Sequence, residues 1–104
     1  MNGKRILEGF ADITDLEGYK AYVAANAEPF RKYGARFLVR GGKSDPVEGN
    51  TRSRALVIEF PSYADALACY QSPEYNKAKA LRQGKSVGDV AIVEGYEGPQ
   101  PGGS

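Results

Sequence analysis

Histidine is absent from all 104 residues. Its absence excludes imidazole activation of a nucleophile, imidazole zinc ligation and a histidine-ligated haem together. Cysteine occurs once, at Cys69, so no disulfide can close within the chain. A single thiol fits a reducing compartment. Neither sign of charge is in excess: 14 Lys plus Arg face 13 Asp plus Glu, a formal net charge of +1. That balance gives no electrostatic reason to expect nucleic acid or an anionic membrane as a partner. Long apolar runs are missing as well. The opening Met1-Asn2-Gly3-Lys4-Arg5-Ile6-Leu7-Glu8 reads as neither a signal peptide nor a membrane span, and a cytoplasmic location is expected. No metal-ligand spacing is present, and Gly41-Gly42 is too short to suggest a phosphate loop. The expectation is therefore no cofactor, no nucleic acid and no membrane.

What is present suits one domain. A chain this short buries only ~65% of its unfolded surface, so burial shared with a second copy would help. Residues 5–13 read as a strand and residues 15–33 as a helix. Thr14 and Glu17 fit a capping box, and Leu16, Tyr19, Val23, Ala27 and Phe30 form an apolar stripe. Pro29 is expected to kink or split this helix near Asn26, and Gly34 to end it. Residues 35–40 read as a second strand, with a bulge at Gly41-Gly42 that lets it resume near Val47 before a turn at Gly49-Asn50. A third strand is expected over 54–60. Ser62 caps a second helix, Ser72-Pro73 opens a third, Gly84 ends it, and a last strand covers 89–95. Residues 1–96 form the predicted domain. The tail, 97–104, has no apolar pattern and is expected to be disordered.

The order β-α-β-β-α-β predicts an α+β, ferredoxin-like fold, with helices on one face of an antiparallel sheet. Side chains alternate across a sheet. Leu7, Gly9, Ala11 and Ile13 can share a dry face with Phe37, Val39, Leu56, Ile58, Phe60, Ala91 and Val93. The other face would carry Ile6, Glu8, Phe10, Asp12, Arg36, Leu38, Arg40, Ala55, Val57, Glu59, Val90, Ile92 and Glu94. It is too apolar for water and too charged for a dry core. A homodimer stacking two such faces around a partly wet cavity resolves the conflict; a solvated face with scattered apolar residues is the plainer alternative. Glu59 can meet Arg36 or Arg40, depending on the bulge, and such a pair is structural or holds an anionic substrate.

Several segments occur together: Tyr19-Lys20-Ala21-Tyr22, Tyr33-Gly34-Ala35-Arg36-Phe37-Leu38-Val39-Arg40-Gly41-Gly42, Glu59-Phe60-Pro61-Ser62 and Ser72-Pro73-Glu74-Tyr75. Arg82 and Val93-Glu94-Gly95 follow. This set resembles the family called domain of unknown function 1330, over roughly residues 5–96. Cys69 stands where the family has an aromatic residue. The resemblance implies a dimeric α/β barrel in which two ferredoxin-like units pack sheet to sheet. Relatives in that superfamily include cofactor-free monooxygenases, lactone isomerases and haem enzymes, the histidine-ligated haem branches being excluded here.

Two functional readings follow. In one, a cofactor-independent enzyme binds a small aromatic or carboxylated metabolite between sheet and helices. Tyr22, Arg36, Tyr75 and Arg82 would bind the substrate, and Asp12 or Glu59 would move a proton. In the other, the chain is a non-catalytic ligand-binding or dimeric interaction module. Each residue also has a plain structural role open to it. The tyrosines can be packing residues, Arg82 a favourable cation at a helix end, Asp12 a turn cap, and Cys69 a small buried hydrophobe.

Overall fold

Strand β1 (Arg5–Ile13) and helix α1 (Leu16–Lys32) open the computed structural model, which describes residues 5–103. Met1–Lys4 of the N-terminal reading and Ser104 of the tail lie outside the described residues. Next come β2 (Arg36–Arg40), β3 (Arg54–Phe60), α2 (Tyr63–Gln71), α3 (Pro73–Ala80) and β4 (Ser86–Glu94). The four strands form one antiparallel sheet in the order β2-β3-β1-β4, the ferredoxin-like arrangement expected. Residues 95–103 form no helix or strand; Gly103 N–H donates to the Gln100 carbonyl at 3.1 Å.

The cap of α1 is Asp15 rather than Thr14: its carboxylate accepts the Gly18 N–H at 3.0 Å. Glu17 in the first turn and Arg31 and Lys32 in the last oppose the helix dipole favourably. Pro29 does not split the helix, which runs on to Lys32. The proline is fully buried, and its carbonyl accepts the Cys69 thiol at 3.7 Å, so packing holds the turn that a missing N–H weakens. The buried face is rotated from the expected stripe. Tyr19, Tyr22, Asn26, Pro29 and Phe30 are inside, while Leu16 and Ala27 are exposed. Ser62 and Ser72 cap α2 and α3 as expected, accepting the N–H groups of Asp65 and Tyr75. Helix α3 ends at Ala80, before the turn that carries Gly84.

Register corrects three expectations about the sheet. Arg36 lies opposite Glu59 and Phe37 opposite Ile58, but Val39 faces Val57 and Arg40 faces Leu56. The extra residue is Leu38, so the bulge sits inside β2 and not at Gly41-Gly42. One inserted residue exchanges the faces beyond it. Val39 therefore turns outward and Arg40 turns toward the helices. The strand does not resume near Val47, which is 87% exposed in the loop from 41 to 53. On β4, Val90 and Ile92 pair with Gly9 and Leu7 and lie under the helices, which leaves Ala91 and Val93 on the outer face. Both parities of β4 are apolar there, so alternation alone could not choose between them. The core gathers Leu7, Ile58 and Phe60 of the sheet against Tyr22, Phe30, Cys69 and Tyr75 of the helices.

Candidate functional site

A cavity lies between the helix-side face of the sheet and helices α1 and α3. Room for the centres of water-sized spheres is about 40 Å³, and the whole concavity, open mouth included, is about 600 Å³. About 10–15 Å³ on the first measure holds one water, so the inner space fits a carboxylate-sized group. The larger figure includes open solvent, so the rest of a ligand would stand in the mouth.

Helical spacing puts Tyr19, Tyr22, Val23, Asn26 and Phe30 of α1 on this wall, and α3 adds Tyr75. The rings form a continuous aromatic surface. Tyr19 and Tyr22 lie 5.2 Å apart by centroid, Tyr22 meets Tyr75 edge to face at 6.2 Å, and Tyr75 stacks on Phe30 at 5.6 Å. The hydroxyls of Tyr22 and Tyr75 share a buried 2.7 Å hydrogen bond. Burial, then the Tyr22 phenol beside it, pushes the Tyr75 phenol far up, with Arg82 opposing. Burial also raises Tyr19, against the pull of Arg54 and Arg82. Both phenols are therefore neutral near pH 7 and suited to donating hydrogen bonds, not to accepting a proton.

Three arginines reach this cavity: Arg40, Arg54 and Arg82. No Asp, Glu or Lys lines it among the described residues. The Arg40 guanidinium lies 4.2 Å from the Phe37 ring centroid, and that of Arg82 5.2 Å from Tyr22. Arg82 follows the end of α3 and faces the Tyr75 hydroxyl; burial opposes its charge, while Tyr75 and Tyr22 favour it. Arg54 rests against Gly41, whose φ of +67° suits glycine and whose missing Cβ leaves room for the guanidinium. The Nε atoms of Arg54 and Arg82 are buried without a hydrogen-bond partner.

The structure thus brings together three of the residues singled out from sequence: Tyr22, Tyr75 and Arg82. The other three lie on the opposite face of the sheet. Arg36 is mostly exposed, its Nη1 3.6 Å from Glu59 Oε1, so of the two candidate arginines it is Arg36 that meets Glu59. Asp12 accepts the Ser53 N–H at 2.8 Å and Arg52 Nη1 at 3.1 Å. The Ser53 N–H, more than the Arg52 charge, holds its carboxyl below the usual range. Sequence reasoning missed Arg40, Arg54 and Asn26. Arg54 had a readable signal: it shares parity with Leu56, Ile58 and Phe60, a cation on an otherwise apolar strand face. Arg40 had none, because its orientation depends on the Leu38 bulge. Among the described residues no group of three His, Cys, Asp or Glu could hold a metal, and no helix is long and apolar enough to cross a membrane.

The model of a family described as a domain of unknown function (DUF1330) matches residues 7–96. Comparison with curated proteins finds no match. Among solved structures, the chain is similar to a protein of unknown function from Rhodopseudomonas palustris. The TM-score is 0.74 at 17% identity, covering 94% of this chain and 86% of that one. It is also similar to SnoaB, a cofactor-independent oxygenase from Streptomyces nogalater, with TM-score 0.63, 8% identity and coverage of 92% and 96%. A third is a dimeric protein of unknown function and ferredoxin-like fold from Bacteroides fragilis, with TM-score 0.53, 19% identity and coverage of 91% and 96%. At these identities the likeness establishes a shared fold.

Proposed function

The chain belongs to the domain of unknown function (DUF1330) family, and from that membership we propose that its helix-side cavity binds a small aromatic or carboxylated metabolite as an anion. The observation that carries this reading is the composition of the wall: Arg40, Arg54 and Arg82 stand among aromatic rings with no carboxylate beside them among the described residues. Guanidinium takes a carboxylate through two parallel hydrogen bonds. The rings of Tyr22, Phe30 and Tyr75 supply flat apolar surface for the rest of the ligand. Arg36, Asp12 and Glu59 face away from the cavity and have no role in this reading.

Turnover here would be cofactor-independent and electrostatic. Fixed guanidinium charges in a partly dry cavity favour the enolate or phenolate of a bound acidic ligand, whose proton passes to solvent at the open mouth, and neutral Tyr75 can donate to that anion. The same fold serves a cofactor-independent oxygenase, which supports that class of chemistry by analogy. A non-catalytic binding module is the second reading. It is favoured by the absence of a lining carboxylate that could move a proton.

The test is thermal stability with benzoate as probe. Saturation to about 100 times Kd adds ~2.7 kcal/mol, a shift of several degrees. Arg82→Gln should reduce that shift while the unliganded protein stays folded. A melting temperature indifferent to benzoate and other small carboxylates up to tens of millimolar would overturn the proposal.

The outer sheet face carries the partner proposal. Phe10, Val39, Val87 and Val93 are each 39% to 54% exposed there, around Glu8, Asp12 and Glu59. Two copies stacking this face would cover the apolar residues. The relative described as dimeric supports the arrangement. Sedimentation should find a dimer at micromolar concentration, and a folded monomer there would remove the idea.

A further inference from the structure

Among the described residues, the guanidinium groups outside the cavity have acidic company. Arg31 pairs with Glu28, Arg36 with Glu59, and Arg52 with both Asp12 and Asp89. The cavity arginines differ, since no acid lines the wall they share. Arg54 and Arg82 each also bury an Nε–H that no protein acceptor among the described residues meets. An unmet buried donor destabilises the fold, more so when the group is charged. A site that keeps two of them is arranged for an acceptor that arrives from outside.

The two arginines hold different places. Arg54 opens β3, packed on Gly41 and acting on the Tyr19 hydroxyl. Arg82 follows α3, over the Tyr22 ring and facing the Tyr75 hydroxyl. Their aromatic neighbours Tyr19 and Tyr22 sit on one face of α1 with ring centroids 5.2 Å apart. Both guanidiniums line this one cavity, so a single small ligand can reach them together. We infer that the cavity selects a dianion, a small dicarboxylate or a carboxylate with a second acidic oxygen, one anionic group on Arg54 and the other on Arg82. This rests on the cavity being a ligand site at all. Charge counting favours it. A monocarboxylate leaves two of the three cations uncompensated. A dianion leaves only Arg40, which is exposed and screened by solvent.

The experiment is titration calorimetry at fixed salt with two matched pairs of probes, fumarate against crotonate and phthalate against benzoate. Each dianion should bind roughly ten- to a hundredfold more tightly than its monoanionic mate. Arg54→Gln and Arg82→Gln should each bring that ratio close to one, whereas Arg40→Gln should leave most of it. Circular dichroism checks folding, and Arg54→Lys and Arg82→Lys replace any Gln variant that fails to fold. If monoanions bind and the ratio is near one for both pairs in the unaltered protein, the dianion inference falls and the anion cavity stands. If no probe binds to the folded protein, both fall. A high ratio that persists in both Gln variants overturns the assignment to Arg54 and Arg82.

Discussion

Removing one hydroxyl of the Tyr22–Tyr75 pair should cost more than removing both in sequence would suggest. The two oxygens lie 2.7 Å apart, and both residues are about 95% buried, with relative exposures of 5% and 4%. Tyr22→Phe leaves the Tyr75 hydroxyl without its phenolic partner; Tyr75→Phe leaves the Tyr22 hydroxyl and takes away the oxygen that Arg82 faces. A buried polar group left unmet costs ~1–3 kcal/mol. Each single change should therefore destabilise within that range, with Tyr75→Phe the larger. In the double variant no phenol remains to be satisfied, so its cost should fall below the sum of the singles by ~1–2 kcal/mol. For a chain near 100 residues, 1 kcal/mol moves the melting temperature by about 4–8 °C, an effect urea titration or calorimetry resolves easily. All four proteins should be compared at one concentration, because association would shift apparent stability. Strict additivity, or singles that cost nothing, would refute the claim that this hydrogen bond is closed to water.

Three further outcomes are expected. Ile58→Ala, at a side chain 1% exposed in the middle of the sheet, should cost ~2–5 kcal/mol in urea unfolding. Burial pushes the Cys69 thiol up to about 11, from 9.0, so iodoacetamide should label it about a hundredfold more slowly in the folded protein than in urea at the same pH. The Asp12 carboxyl is held below 3.8, so its contribution to stability is complete above that pH and is lost as pH falls through the lower folded value. Asp12→Asn should accordingly flatten the stability profile below pH 4 and leave the neutral-to-alkaline slope unchanged.

The elements that were legible in the sequence are those written in local chemistry. Ser62 and Ser72-Pro73 mark helix starts because a side-chain oxygen and a fixed φ act within one turn. Strands β1 and β3 follow from β-rich runs whose bounds match the expectation. What failed depended on partners distant in the chain. The Leu38 bulge has no residue signature, and Gly41-Gly42 drew attention away from it. The β4 face was undecided because Val90 and Ile92 are as apolar as Ala91 and Val93. Tyr22 and Tyr75 stood out because the apolar stripe was complete without them, Arg82 through the family resemblance, and the three line one cavity. Asp12, Glu59 and Arg36 were expected to join a site between sheet and helices, but strand parity puts them on the face of the sheet away from that cavity.

Strand β2 borders only β3, so its alignment is set from one side alone. As folded, Leu38 is the surplus residue, and Arg40 lies opposite Leu56 beneath the helices. Drawn taut with no surplus, the same five residues would set Val39 against Leu56 and turn the guanidinium of Arg40 outward. The electrical character of the chamber is thus a matter of chain length as well as residue type. Deleting Leu38 would leave the present alignment as the regular one and lock the cation in place. Ironing the bulge out without a deletion would exchange a positive charge for two methyl groups.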